Sequence, residues 1–80
     1  MSEKEWLDIF RVNLKDMLKE AGMTAYELEI EAGLSHGTVY RYLKGNRMPT
    51  IRAIANMYDV LSNIIDCSIM DFIYFGEQIN

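Results

Sequence analysis

The stretch Thr24 to Arg47, TAYELEIEAGLSHGTVYRYLKGNR, decides how the chain folds, and the ten residues Ser35 to Lys44 lie at its centre. Those ten predict a helix with one face in solvent. Ser35 offers a hydroxyl to an unpaired N–H of the first turn, and Gly45 suits the left-handed residue that ends a helix. At 100° per residue Val39, Tyr42 and Leu43 fall on one side, and Gly37, Tyr40, Arg41 and Lys44 on the other. Upstream, Thr24 with Glu27 three residues later forms a capping box and opens a short helix whose inner face is Ala25, Leu28 and Ala32. Gly33 permits a sharp left-handed turn, Leu34 plugs the angle between the two helices, and Ser35 starts the second.

The rest of the chain supports this pair of helices. Leu7, Phe10, Leu14, Met17, Leu18 and Ala21 repeat at three- and four-residue spacing and predict a first helix from Trp6 to Ala21, ended by Gly22. Pro49 stops the loop Gly45–Thr50, and Thr50 caps a fourth helix that carries Ile51, Ile54, Ala55, Tyr58, Leu61 and Ile65 and is expected to reach Asp66. Ser68 with Asp71 repeats the capping signal before Ile69, Met70, Phe72, Ile73, Tyr74 and Phe75. That tail reads either as a last helix or as a short strand from Met70 to Phe75. It either closes the core of one molecule or, through Phe72, Tyr74 and Phe75, forms a dimer interface.

Eighty residues, half of them hydrophobic and a quarter charged, fit one globular domain spanning 1–80, with about 60–80 as its dimerisation segment. One cysteine, Cys67, and one histidine, His36, exclude an internal disulfide and a structural zinc site of Cys and His ligands. Cys67 reads as a small buried hydrophobe. No metal, cofactor or small-molecule ligand is expected. The amino terminus lacks the apolar run of a signal peptide, the longest apolar run is Phe72 to Phe75, and a cytoplasmic location is expected. The net charge of −4 is unevenly spread: Ala32 to Tyr58 contains no acid and holds Arg41, Lys44, Arg47 and Arg52, while the remainder carries four bases and twelve acids. One positive face on an acidic body attracts phosphate locally. No catalytic constellation appears, since the chain offers one His, one Cys, no Gly-rich phosphate loop and no paired metal ligands, so an enzyme is not expected.

The motif carries a resemblance. Thr24, Glu27, Leu28, Gly33, Leu34, Ser35, Thr38, Val39, Arg41, Tyr42, Gly45, Arg47, Pro49 and Thr50 stand in the order typical of the Cro and phage-repressor type of helix-turn-helix regulator, over about Phe10 to Phe72. The chain is similar to that family in the pattern T-x-x-E-L, G-L-S, T-V-x-R-Y and G-x-R-x-P-T. The resemblance implies an all-α, lambda-repressor-like fold: a compact bundle of about five helices with a helix-turn-helix in helices 2 and 3. It implies a homodimer on a near-palindromic double-stranded DNA operator, with helix 3 in the major groove. Two residues depart from the pattern: Ala25 replaces a glutamine that contacts phosphate, and Glu29 replaces a small residue packed against helix 3. Glu29 is expected to pair with a base such as Arg41 or Arg47.

His36, Gly37, Thr38 and Arg41 occupy the positions that the resemblance assigns to base reading. Arg41 suits a bidentate bond to guanine O6 and N7, Thr38 a phosphate or a thymine methyl, His36 a base acceptor or a phosphate, and Gly37 close approach. Thr24, Tyr40, Lys44, Asn46, Arg47, Thr50 and Arg52 are the backbone-contact candidates, which position a protein without reading sequence. Arg11 fits either a binding or a helix-stabilising role. The alternative is a protein-interaction module on the same fold, an antirepressor or adaptor, which the net negative charge, Ala25 and Glu29 favour.

Overall fold

A computed structural model describes residues 2–70, which form four α-helices and no strand. They are α1 (Glu3–Ala21), α2 (Ala25–Glu31), α3 (Thr38–Lys44) and α4 (Ile51–Ser62). Each start follows from local chemistry. Ser2 and Glu5 cap α1 reciprocally, Thr24 and Glu27 cap α2 in the same way, and Thr50 Oγ1 accepts the Ala53 N–H at 3.0 Å to cap α4. The first helix begins earlier than the apolar stripe alone predicts, because the Ser2–Glu5 box lies outside that stripe. The fourth ends at Ser62 rather than Asp66; Asn63 Nδ2 donates to the Asp59 carbonyl at 2.8 Å as the chain leaves the helix. The expected fifth helix or strand, and the interface residues Phe72, Tyr74 and Phe75, lie outside the described residues.

The core is one cluster. Phe10, Leu14, Met17 and Leu18 of α1 meet Leu28 of α2, Val39 and Tyr42 of α3, and Ala53, Ile54, Met57 and Leu61 of α4, all buried. Trp6 stacks on Phe10 with ring centroids 5.2 Å apart, and Tyr42 meets the same ring edge-on at 6.1 Å. Fully burying a side chain of this size contributes roughly 1.5–3 kcal/mol, so the cluster is the main source of stability. The inner faces expected for α2 and α3 are the ones found. In α4 the buried stripe is Ala53, Ile54, Met57 and Leu61, whereas Ile51, expected inside, is 86% exposed and Ala55 is also exposed. Ile51 is the first helical residue, and α4 turns it away from the bundle. Cys67, half-buried, packs against the cluster's edge.

The connection from α2 to α3 departs most from expectation. Ser35 does not cap α3: its carbonyl accepts the Thr38 N–H at 3.1 Å in a turn. The cap position belongs to Gly37 at φ 87°, which has no side chain with which to accept a hydrogen bond. The acceptor comes from α2. Glu29, 3% exposed, receives the Gly37 N–H on Oε1 at 2.9 Å and the Val39 and Tyr40 N–H groups on Oε2 at 2.8 and 3.3 Å. It therefore pairs with neither Arg41 nor Arg47. The physical reason is that a carboxylate beneath a helix start meets several unpaired donors and the positive end of the helix at once. Backbone bonds from Gly33 N–H to the Ile30 carbonyl and from Leu34 N–H to the Glu29 carbonyl, with Gly33 left-handed, turn the chain so that α3 lies against α2.

Two stability measurements follow. Glu29→Ala strands three N–H groups under a helix too short to persist alone, and is expected to cost about 2–3 kcal/mol in urea unfolding, whereas Arg41→Ala changes stability by less than about 0.5 kcal/mol. Burial pushes the Tyr42 phenol above its ordinary value of 10.0, against the smaller opposing pull of the Arg47 charge. The folded chain thus holds this proton more tightly than the unfolded chain, so the contribution is complete below about pH 10 and is lost as pH rises through the folded value. Unfolding midpoints compared between pH 8 and pH 11 are expected to fall less for Tyr42→Phe than for the unaltered chain.

Candidate nucleic-acid interface

The outer face of α3 is cationic. Tyr40, Arg41 and Lys44 are exposed, and among the described residues no carboxylate pairs with Arg41 or Lys44. Lys44 Nζ lies 5.2 Å from the centroid of the Tyr40 ring, one turn back, a cation–π contact that leaves the ammonium at the surface. The Arg41 side chain folds toward the start of the helix, as long helical side chains do. Its guanidinium covers Gly37: the place a Cβ would take on that glycine is 3.4 Å from Nη1, 3.7 Å from Cζ and 3.8 Å from Nη2. Gly37 and Arg41 are thus joined in one small surface at the beginning of α3.

His36 flanks this surface. Its side chain is 85% exposed, with Nδ1 3.8 Å from Glu29 Oε1, too long for a hydrogen bond. The Tyr26 ring of α2 stands edge-on to it, with centroids 5.5 Å apart. Tyr26 is itself 56% exposed, so the start of α2 supplies an aromatic group beside the start of α3. Thr38 differs from expectation. It is 6% exposed, so its side chain is covered in the free chain and does not share the surface with His36 and Arg41.

The other candidates lie on the loop after α3 and at the starts of α2 and α4. After left-handed Gly45, the Asn46 N–H donates to the Arg41 carbonyl at 3.0 Å, and Asn46 and Arg47 are exposed. Thr24 and Thr50 lie at the starts of α2 and α4, where their hydroxyls already accept helix N–H groups. Arg52 is exposed in the first turn of α4, a turn without acids. Arg11 of α1, read from the sequence as fitting either a binding or a helix-stabilising role, reaches the same neighbourhood. Its Cδ and Nε lie 3.6 Å from the place a Cβ would take on Gly45, and its Nη2 is 3.7 Å from Asp8 Oδ1.

Three placements were not fixed by the sequence: those of Arg11, Tyr26 and Glu29. Arg11 and Tyr26 come close to α3 only through the angles at which α1 and α2 cross it, which no local spacing encodes. Glu29 did leave a signal: a helix start at Gly37 has no side-chain acceptor, and a carboxylate on the inner side of the preceding helix is able to supply one. The remaining acids of α2 point elsewhere. At about 100° per residue Glu27 and Glu31 lie about 40° from each other and about 200° from Glu29. Both line a hollow with Met23, Ile30 and Ile64.

No helix among the described residues is long and apolar enough to cross a membrane, and no group of His, Cys, Asp and Glu among them is placed to hold a metal ion. Comparison with curated proteins and with solved structures gives no significant match. Residues 13–78 do match a known family, the Cro/C1-type HTH DNA-binding domain. With that match covering most of the chain and an all-helical bundle presenting a cationic short helix, the protein belongs to the Cro/C1-type helix-turn-helix DNA-binding family.

Proposed function

We propose that the chain is a sequence-specific DNA-binding transcriptional regulator, a Cro-like repressor in which α2, the turn Ala32–Gly37 and α3 form the helix-turn-helix. The observation that carries this reading is an exposed Arg41, paired with no carboxylate among the described residues, whose guanidinium reaches back to the start of α3 beside an acid of α2 already engaged by three backbone donors. An acid left free there would repel phosphate. Enclosed beneath α3, Glu29 does not oppose DNA, and Glu27 and Glu31 lie on the opposite side of α2.

In this reading α3 enters the major groove. Arg41 reads guanine, His36 lies at the groove edge, and Gly37 allows the backbone to come close; Thr38 acts from within as packing, since its side chain is covered. Lys44, Asn46, Arg47 and Arg52 hold phosphates, with Tyr40, Thr24 and Thr50 at the margins and Tyr26 and Arg11 added to them. Residues 1–80 act as one domain, and the apolar segment within about 60–80, including Phe72, Tyr74 and Phe75, joins two copies on a near-palindromic operator. The half-sites then lie about 34 Å apart, one turn of DNA.

A second reading has one observation of its own. Ile30, 57% exposed, and Ile64, 51% exposed, line a hollow rimmed by Glu27 and Glu31, a surface that suits a protein partner better than phosphate. On that reading the chain is an interaction module of the same fold, an antirepressor or adaptor.

Binding to a duplex selected from random DNA separates the two. For a DNA-binding regulator, log K falls linearly with log salt by about 0.9 per phosphate contact. Arg41→Ala is expected to weaken binding to the selected duplex by about 5- to 150-fold, with the salt slope kept, while Arg47→Ala lowers the slope by about one contact. Absence of binding even at about 50 mM salt, or binding indifferent to Arg41→Ala, contradicts the reading.

A further inference from the structure

We propose that Glu29 is a positioning residue for base recognition: through Gly37 it fixes where the Arg41 guanidinium lies, and so governs discrimination between bases without touching DNA. This rests on the reading of Arg41 as the residue that contacts guanine.

The contacts form a continuous chain. Glu29 Oε1 accepts the Gly37 N–H at 2.9 Å, while Oε2 holds the next turn through Val39 and Tyr40. The Gly37 peptide is thereby fixed at φ 87°, a conformation that glycine adopts readily and most other residues do not. From that fixed peptide, the carbonyl accepts the Arg41 N–H at 3.0 Å, and the bare Cα face lies under the guanidinium. Three of the guanidinium's heavy atoms, Nη1, Cζ and Nη2, lie between 3.4 and 3.8 Å from the Cβ position, so the group rests in contact with the glycine.

Nothing else among the described residues competes for this guanidinium, since no carboxylate pairs with it. An arginine free to sample its rotamers must be ordered at the moment of binding; one laid against a fixed peptide is ordered beforehand. A bidentate contact depends on orientation more than a phosphate contact does. Loss of the Glu29 carboxylate is therefore expected to blur base choice more than it weakens general attraction to DNA.

The test uses the full chain and a duplex selected from random DNA, with each guanine in turn replaced by 7-deazaguanine, which lacks the N7 acceptor. The unaltered chain is expected to lose about 5-fold or more at one guanine per half-site, and Arg41→Ala to lose nothing further there. Glu29→Gln, which keeps the shape and removes the charge, is expected to reduce that penalty to below about 2-fold while its salt slope matches that of the unaltered chain. A Glu29→Gln chain that binds every duplex more weakly but keeps the full 7-deazaguanine penalty overturns the proposal. If neither the unaltered chain nor Arg41→Ala responds to 7-deazaguanine anywhere, the reading of Arg41 fails and the proposal falls with it. Should Glu29→Gln not fold, Gly37→Asn decides instead: asparagine tolerates positive φ, its Cβ reaches contact with the guanidinium at 3.4 Å, and the amide beyond that Cβ is expected to displace the group. Gly37→Asn is expected to abolish the penalty; retention of it overturns the proposal.

Discussion

A single carboxylate beneath a seven-residue helix supports the surface proposed here to meet DNA. Helix α3 is too short to be stable alone, and its cap position is a glycine, which has no side chain to accept a backbone N–H. Glu29 supplies the missing acceptor from the neighbouring helix. It satisfies Gly37, Val39 and Tyr40 together, ties α3 to α2 from within, and adds a polar constraint where apolar packing by Val39 and Tyr42 fixes only distance. A buried acid is costly unless fully hydrogen-bonded, and here the helix start provides the donors.

The same contact shapes the electrostatics of the outer surface. An acidic chain gains a usable positive face by sequestering the one acid closest to it and by turning Glu27 and Glu31 to the far side of α2. Arg41 and Lys44 of α3 and Arg11 of α1, beside Gly45, lie at or next to that helix, and in the proposed reading Arg47 of the loop and Arg52 of α4 add to them. Net charge describes the whole molecule, whereas a phosphate within a Debye length of about 8 Å senses mainly the nearest face. This is why an overall charge of −4 is compatible with membership of a DNA-binding family.

Much of this architecture was legible in the residues. The Thr24–Glu27 box, the left-handed Gly33 and the stripe Val39, Tyr42, Leu43 are local signals, and each marks the element or face that is found. The errors lie where a signal was shared between segments. Ser35 has the chemistry of a cap, but Glu29 reaches the donors from another helix, so the helix starts at Thr38 and the Thr38 side chain turns inward. Ile51 fits an apolar stripe at helical spacing, yet the stripe's true centre, Ala53, Ile54 and Met57, is set by how α4 meets α1. Arg11 and Tyr26 join the surface through crossing angles that appear only in three dimensions.

Amide hydrogen exchange at Gly37, Val39 and Tyr40 measures the central contact without altering a residue. If the Glu29 carboxylate closes the start of α3, these three amides exchange together and slowly, protected about 100-fold or more over the unfolded rate, as parts of the cooperative core. Rates near those of an unstructured chain at all three, with Val39 buried but its amide open to exchange, would contradict the account.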